Sequence, residues 1–472
     1  MARHSELYRR WTHRMGERGT FRAGERVGVA VSGGPDSILL LDFLAEFAPG
    51  AGLALAAVHF NHHLRGNESD EDERFVAERA KDLGVEFLRA EADVARAAAE
   101  NHGNLEATAR ELRYRYFYSL LDQGRLDKLA TAHTANDQAE TVLLKILRGT
   151  GTRGLAGIFP VLEGKIVRPF LALTRREIAA EIERRKLTFR EDSTNLLPKF
   201  RRNKIRHELI PWLEKEFNPE IVPLLSELAE RSREDEEALE QAARERARPW
   251  RVRDGRDEKI PARALAELPP ALTRRVLRQM LQSAFGGLKG ITHRHLEALE
   301  KLGTEGQSGR QALLPGRRAA RREFDWLVVG PPPRTSPASG FTYPATAPGE
   351  VWVEALDTKF LFKIIERASS QGAYNEADGV GLDLDKLTGE LVLRNWREGD
   401  RFQPQGSGKP RKLKELFRER RIPASSRALW PLVECSRGIV WVRGFQSAAC
   451  ARLEPHSQRI LLVEEEAGQR RS

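Results

Sequence analysis

The sequence predicts an α/β protein: a doubly wound parallel-sheet domain, then a helical middle domain and a small α+β C-terminal domain. The first 150 residues alternate short apolar runs with amphipathic or charged stretches, as βα units do. A long charged helical pattern follows, and a Pro-, Ser- and Gly-rich stretch precedes renewed apolar runs. We therefore predict domains at 1–217, 218–330 and 345–465, with a linker at 331–344.

Local patterns predict the elements of the first domain. A basic helix is expected within residues 1–22. Strands are predicted at 27–31, 53–60, 85–91 and 126–133, and helices at 36–47, 70–83, 104–121 and 137–147. Because parallel strands end at the same sheet edge, a ligand should bind at their carboxyl ends.

The later domains follow the same reasoning. Helical patterns cover 218–245 and 264–302, extended structure is expected at 313–330, 352–367 and 381–393, and a charged helix at 412–421.

Composition narrows the class of protein. Lys and Arg outnumber Asp and Glu by 78 to 68 in 472 residues, which suits either a polyanionic partner or simple solubility. Only Cys435 and Cys450 occur, so no CxxC pattern or disulfide framework is indicated. No apolar run approaches the roughly 18 residues that a membrane span needs. We expect a cytoplasmic protein without a membrane partner.

A glycine-rich loop lies between the first strand and the first sheet helix. In Ser32-Gly33-Gly34-Pro35-Asp36-Ser37 the glycines let successive N–H groups converge, the serines add hydroxyl donors, and the helix adds its positive end. The spacing matches neither a Walker loop nor a dinucleotide fingerprint. The loop predicts a phosphate cradle, and the alternative is a glycine-rich turn without a ligand.

Polar residues follow the second strand and line the helix at 104–121. His59, Asn61, His62, His63 and Arg65 end the strand, where a zinc site competes with residues that position nucleotide and loop. On the helix, Glu106, Arg110 and Arg113 share one face beside Tyr114. A salt-bridge ladder would explain Glu106 and Arg110, whereas Arg113 is predicted to contact a phosphate or base.

The segment 132–151 brings polar groups to a strand-to-helix junction. His133 ends the strand, Asn136 or Asp137 can cap the helix, and Glu140 lies one turn beyond Asp137. An Asp and a Glu three residues apart can together hold Mg²⁺ on a triphosphate, or one can hold the metal while the other accepts a proton.

These motifs carry a family resemblance. The loop SGGPDS resembles the signature of the PP-loop ATP pyrophosphatases, and H-x-x-N-D-Q-x-E-T, R-G-T-G and E-x-x-x-R-x-x-R-Y are similar to the tRNA(Ile)-lysidine synthetase family. Asn136 stands where many members have Asp. Further matches lie at 168–171, 174–175, 192–195, 202–206 and 209–211, and in the C-terminal W-R-x-G-D-R-F and VWVRG motifs.

The resemblance implies a two-step reaction that uses ATP and Mg²⁺. ATP adenylates the C2 oxygen of the wobble cytidine in isoleucine tRNA with a CAU anticodon, and pyrophosphate leaves. The ε-amine of L-lysine then attacks C2 and expels AMP, which changes codon reading from AUG to AUA. The lysine ammonium, with a reference pKa of about 10.4, must first lose a proton to an acidic residue or a histidine.

Roles follow for individual residues. The resemblance assigns Ser32, Gly33, Gly34, Pro35, Asp36 and Ser37 to ATP phosphates, with Asp36 and Asp137 also at Mg²⁺. Glu140 is expected to be the base or the ammonium anchor, His133 to orient the nucleotide, Arg113 to stabilise phosphate charge, and Arg206 to contact phosphate or RNA. The predicted catalytic set is Asp36, Arg113, His133, Asp137, Glu140 and Arg206.

A basic segment at 391–423 predicts the tRNA surface. Its cations include Arg394, Arg397, Arg401, Lys409, Arg411, Lys412 and Lys414. Trp396, Phe402 and Phe417 are interleaved with them, which suits phosphate contact combined with base stacking. The sequence leaves the oligomeric state open, and a homodimer is one assembly that we consider.

Two other functions are weighed. A PP-loop tRNA thiolase makes the same adenylate but normally needs cysteines in its first domain, and none precedes Cys435. A catalytically silent tRNA-binding protein would lack ATP–pyrophosphate exchange in the presence of tRNA.

Overall fold

The computed structural model describes residues 4–64, 66–100, 104–190, 201–332, 340–366 and 380–467. The chain forms two compact units, Met1–Ala238 and Leu239–Ser472, which meet within one long helix. The three-domain division at 217 and 330 stays a prediction. No helix in the described ranges has the length and apolar character that crossing a bilayer requires.

The first unit is built on a six-stranded sheet of order β3-β2-β1-β4-β6-β5. The strands are β1 Arg26–Ala30, β2 Ala54–Asn61, β3 Glu86–Glu91, β4 Lys128–Ala130, β5 Val161–Leu162 and β6 Ile166–Val167. All pairs are parallel except the edge pair β5–β6. From β1 the chain builds outward through β2 and β3, then crosses to β4 on the other side. The carboxyl ends of β1 and β4 therefore flank a topological switch point, where open α/β sheets bind ligands.

Helices cover both faces of this sheet. They are α1 Glu6–Glu17, α2 Pro35–Ala51, α3 Asn67–Asp82, α4 Val94–Glu100, α5 Leu105–Asp122, α6 Ala135–Leu147, α7 Thr152–Leu155, α8 Arg175–Arg185, α9 Arg201–Lys204, α10 Ile210–Glu216 and α11 Ile221–Ala247, with a π-helical turn Ile205–Leu209. Separate apolar clusters form on the α2 face and the α5 face. At Gly28 in β1 an added Cβ would lie 2.5 Å from Leu126, so only glycine lets α5's layer approach. The predicted doubly wound sheet is confirmed.

The second unit begins with helices packed on an antiparallel sheet. The helices are α12 Ala262–Ala266, α13 Pro270–Phe285 and α14 His293–Thr304, and the sheet is β7 Val252–Asp254, β8 Asp257–Pro261, β9 Gln311–Leu314, β10 Arg318–Glu323 and β11 Trp326–Gly330. Its strand order is β7-β8-β11-β10-β9. The expected extended structure at 313–330 is present, whereas the hairpin β7–β8 was not predicted.

Two four-stranded sheets enclose the core of the C-terminal part, in orders β12-β16-β19-β20 and β13-β14-β21-β15. The strands are β12 Thr342–Ala345, β13 Gly349–Val353, β14 Thr358–Glu366, β15 Val380–Asp383, β16 Leu391–Asn395, β19 Pro431–Cys435, β20 Gly438–Val442 and β21 Arg459–Ala467. A small hairpin, β17 Arg401–Phe402 with β18 Arg411–Lys412, leads to α15 Leu413–Glu419 and α16 Ala424–Arg427. The predicted α+β character is confirmed.

Candidate active site

The loop between β1 and α2 forms an open turn at the carboxyl edge of the sheet. Gly33 has a φ of +92°, and Gly34 caps α2 without any side-chain hydrogen bond. The Ser37 hydroxyl accepts from the Ser32 N–H at 3.2 Å and donates to the Gly34 carbonyl at 2.9 Å, which braces the turn. An anion in the turn would meet the N-terminus of α2 and the dipole of this 17-residue helix.

A contact that the sequence did not predict holds this loop from outside. The N–H of Arg190 donates to the Gly33 carbonyl at 2.9 Å. The guanidinium of Arg190 is fixed in turn by Asp72 at 3.0 Å and Glu71 at 2.7 Å, both on α3. The segment after α8 therefore supports the cradle.

The helix α6 starts with a capping box at the carboxyl end of β4. Thr134 is the cap: its N–H donates to the Asp137 carboxylate at 2.9 Å, and its hydroxyl does so at 3.0 Å. The prediction that Asn136 or Asp137 is the N-cap residue is wrong. Thr134 precedes the first turn of α6, and its hydroxyl accepts the N–H of Asp137. Asn136 instead accepts the N–H of Arg175 at 2.8 Å.

Asp137 and Glu140 lie side by side beneath three arginines. The fully buried Glu140 carboxylate accepts from Arg175 at 3.2 Å, Arg202 at 2.8 Å and Arg206 at 2.6 Å. The same three guanidinium groups reach one oxygen of Asp137 at 3.1, 3.3 and 3.4 Å, respectively. Sequence analysis singled out Arg206 of these arginines but gave no role to Arg175 or Arg202, although both fall inside the matched motifs.

The third carboxylate of the site, Asp36, behaves differently. Burial raises the pKa of Asp36 to about 6; Asp137 adds to this effect, and Arg175 and Arg206 oppose it. For Asp137 burial is outweighed by Arg175 and the Thr134 N–H, so its pKa is lowered. Two neighbouring carboxylates of this kind, beside a phosphate cradle, fit Mg²⁺, which binds through one or two carboxylates plus phosphate oxygens.

Two histidines at the strand ends are held neutral. Burial lowers the pKa of His133 to about 4, and its Nδ1 lies 3.0 Å from the Thr131 hydroxyl. Burial, reinforced by Arg113, also lowers the pKa of His62 to about 4. The Nδ1 atom of His62 is buried without a hydrogen-bond partner in the described part of the chain.

Arg113 on α5 is a cation without a counterion. Burial lowers its pKa, and its guanidinium makes no hydrogen bond or ion pair with any residue that the structure describes. A desolvated guanidinium of this kind gains free energy from an incoming anion.

The other histidines after β2 have protein partners. His59 is buried with Nδ1 2.8 Å from the Val31 carbonyl, and His63 lies 3.6 Å from Asp70 and 3.4 Å from Glu91. Among the described residues, no group of three or more His, Cys, Asp or Glu is arranged to hold a metal ion. Arg65, the Glu106 side chain and the motif at 192–195 lie outside the description.

The basic segment of the second unit presents most of its predicted cations to solvent. Exposed side chains are Arg397, Arg401, Lys409, Lys412 and Lys414, and Arg411 is partly exposed and paired with Glu419. The prediction that Arg394 lies on the tRNA surface is wrong. Arg394 is 5% exposed, and its guanidinium donates to Asp400 at 2.9 and 3.0 Å and to Glu434 at 2.6 Å. It therefore braces the domain and offers no surface to RNA.

The prediction that aromatic residues of this segment stack on bases is also wrong for Phe402 and Phe417. Phe402 and Phe417 are fully buried in the apolar core, and Trp396 packs edge-on against Phe417 with ring centroids 5.8 Å apart. The alternation of cations and aromatics arises because one side of the hairpin and α15 faces the core. The Phe402 and Phe417 rings are therefore unavailable to nucleobases, and Trp396 is partly buried.

Comparisons with known proteins identify the family of this chain. Family models described as a PP-loop domain, a TilS substrate binding domain and a TilS substrate C-terminal domain match residues 5–213, 261–328 and 391–463. A tRNA(Ile)-lysidine synthase of Solibacter usitatus is 38% identical over 450 residues, covering 94% of this chain and 99% of the relative. One of Caldanaerobacter subterraneus subsp. tengcongensis is 33% identical, with 93% of each chain covered. A crystal structure of a TILS C-terminal domain, 28% identical, covers 27% of this chain and 98% of that chain with a TM-score of 0.24.

The switch-point site and its cradle define a PP-loop enzyme that uses ATP. The chain belongs to the tRNA(Ile)-lysidine synthase family and is an ATP-dependent ligase that acts on tRNA(Ile).

Proposed function

We propose that the protein joins L-lysine to C2 of the wobble cytidine in tRNA(Ile) bearing CAU, through an adenylated cytidine and with the help of Mg²⁺. The observation that carries this proposal is the grouping of Asp36, Asp137 and three arginines beside the cradle at the β1–β4 switch point. The reaction takes place in the cytoplasm, where ATP and tRNA are available.

Adenylation builds up charge on the α-phosphate and on the leaving pyrophosphate. The cradle from Ser32 to Ser37 would bind the phosphates through N–H groups and the helix dipole. Asp36 and Asp137 would hold Mg²⁺, which offsets negative charge on the triphosphate. Arg113, whose guanidinium has no counterion in the described chain, would stabilise the charge that develops, and the neutral His133 would orient the nucleotide.

Lysine attack requires a neutral amine. Burial raises the pKa of Asp36 to about 6, nearer to neutrality than the ordinary value of an aspartate, and we assign it the proton of the ε-ammonium group. One carboxylate can serve both half-reactions because adenylation and lysine attack are successive. Guanidinium groups contact both oxygens of the fully buried Glu140, whereas they contact only one oxygen of Asp137, whose side chain is 13% exposed. We therefore prefer Glu140 as a positioning residue for Arg175, Arg202 and Arg206 over the base or ammonium anchor.

The tRNA is proposed to contact the second unit through Arg397, Arg401, Lys409, Arg411, Lys412 and Lys414. Assembly as a homodimer and the domain limits at 217 and 330 stay predictions, which sedimentation velocity and limited proteolysis can check.

The test is incorporation of radiolabelled L-lysine into unmodified tRNA(Ile) bearing CAU, with ATP and Mg²⁺. Asp137→Asn should abolish labelling, whereas Asp122→Asn should not, because Asp122 is 65% exposed at the far end of α5. ATP–pyrophosphate exchange without lysine transfer would redirect the proposal to another nucleophile. Absence of both, with tRNA still bound, would favour the silent tRNA-binding protein.

A further inference from the structure

The second unit contains a cavity of about 380 Å³ outside the predicted basic segment's hairpin. Its lining residues are Leu356, Ser425, Ser426, Ala428, Leu429, Trp430 and Arg443. Its volume is within the range of small-ligand pockets, which combine apolar walls with a few polar groups. Proteins bind unpaired nucleobases by stacking them on aromatic side chains or guanidinium planes and by hydrogen bonds to their edges.

Trp430 is held rigidly in this cavity. Its indole N–H donates to the Arg443 carbonyl at 3.0 Å, and its ring packs against Phe417 with centroids 5.7 Å apart. The Arg443 guanidinium lies 6.0 Å from the Trp430 ring centroid and is anchored by Glu465 at 2.8 Å. A stacking surface that is already ordered loses little conformational entropy when a base binds.

The helix beside the cavity carries Arg427, which forms no ion pair with a carboxylate among the residues that the structure describes. Arg427, in α16, donates to the Ile422 carbonyl at 3.0 and 2.7 Å and lies 5.8 Å from the Phe417 ring centroid. Burial and then the nearby Arg418 lower the pKa of Arg427. On the same side, Ser425 donates to Glu323 at 2.6 Å, whereas the Ser426 hydroxyl makes no hydrogen bond with the part of the chain that is described. A phosphate group would complement this rim.

We propose that this cavity binds one unpaired nucleotide of the tRNA, with the base stacked on Trp430 and the phosphate beside Arg427. The inference rests on the proposed tRNA substrate but concerns a different surface from the exposed cations of 397–414. With Phe402 and Phe417 buried, Trp430 supplies the stacking that those residues cannot.

The experiment measures the affinity of the full chain for tRNA(Ile) bearing CAU, and its KM for tRNA in lysine transfer. Trp430→Ala should weaken tRNA binding by about 5- to 100-fold, the usual range for one stacked base, while Trp430→Phe retains most of it. The salt slope of binding should stay unchanged, because stacking releases no counterions. The matched control is Trp352→Ala, since Trp352 is 48% exposed in the same unit and outside the cavity lining.

A second variant guards against misfolding of Trp430→Ala. Ser426→Trp fills the cavity from an exposed position and should also raise KM for tRNA without changing KM for ATP. Unchanged tRNA affinity in both Trp430→Ala and Ser426→Trp would overturn the nucleotide pocket while wild-type lysine transfer continues. Failure of wild-type transfer, in contrast, would contradict the proposed function itself.

Discussion

The two basic regions of the chain use their cations in opposite ways. Around Asp137 and Glu140, three guanidinium groups are bonded to two buried carboxylates, so their positive charge is held in fixed positions. On the segment 397–414, five of the predicted cations face solvent. The first arrangement suits charge stabilisation at one reacting centre, and the second suits contact with a polyanion.

Arg394 shows what separates the two regions. It belongs by sequence to the basic segment, yet the fold buries its side chain and places Asp400 and Glu434 beside it. The density of Lys and Arg in a segment therefore does not decide what each cation does. The role of each cation depends on the partner that long-range folding brings to it.

The largest effect is expected from a substitution that removes a carboxylate bonded to all three arginines of the site. Glu140→Gln should lower kcat by about 100- to 1,000-fold, because the three arginines lose the carboxylate that positions them. As a positioning residue, Glu140 should leave an acidic limb in the pH–rate profile, because Asp36 still titrates in the variant. Disappearance of this limb in Glu140→Gln would show instead that Glu140 is the base.

The second largest effect is expected at Arg394, the buried cation of the basic segment. Arg394→Met should lower the free energy of unfolding by about 3 kcal/mol, because Asp400 and Glu434 lose their buried partner. Urea unfolding measures the loss. Folded Arg394→Met should bind tRNA normally, and a large loss of tRNA affinity without destabilisation would return Arg394 to the RNA surface.

A smaller effect is expected at the exposed region. Lys409→Gln combined with Lys412→Gln should weaken tRNA binding about tenfold near 0.1 M salt and reduce the salt slope by about 2. Lys363→Gln is the matched control, since Lys363 is 54% exposed but paired with Glu464. An unchanged slope in the double variant would remove the hairpin from the tRNA surface.

The smallest expected effect is a shift in the pH dependence of activity, which is set by Asp36 and the arginines beside it. Activity should fall below about pH 6, as Asp36 becomes protonated and can no longer accept a proton or hold a cation. Arg175 lowers the pKa of Asp36, so Arg175→Met should move this limb to higher pH. The measurement is kcat/KM between pH 5 and 8 for residual activity, and a shift to lower pH would contradict the assignment.

Local patterns predicted the parallel strands β1 to β4, the main helices between them and the glycine-rich turn after β1, because period, glycine placement and strand ends are short-range features. Asp36, His133 and Asp137 were placed at one edge on that basis, and β1 and β4 do bring their strand ends together. The Thr134 cap was missed because Thr134, Asn136 and Asp137 are all residue types that cap helices. Contacts such as Arg190 with Gly33, or Arg175 with Glu140, join distant segments and leave no local signal.

The C-terminal part was harder to predict for a related reason. Alternating cations and aromatics are typical of an RNA-binding surface, but also of an element with one face on a core. Only the packing of α15 against the surrounding sheets shows that Phe417 belongs to the second case. The hairpin β7–β8 was missed because its sequence is charged, and the buried Glu258 is stabilised there by Arg251 at 3.0 Å.

The most direct test of the account is nucleoside mass spectrometry of tRNA(Ile) bearing CAU after incubation with the protein, ATP, Mg²⁺ and isotopically labelled L-lysine. The account predicts that the wobble cytidine carries one labelled lysine, and that the Asp137→Asn variant leaves it unmodified. An unmodified cytidine with the wild-type protein, or a different group at that position, would contradict it.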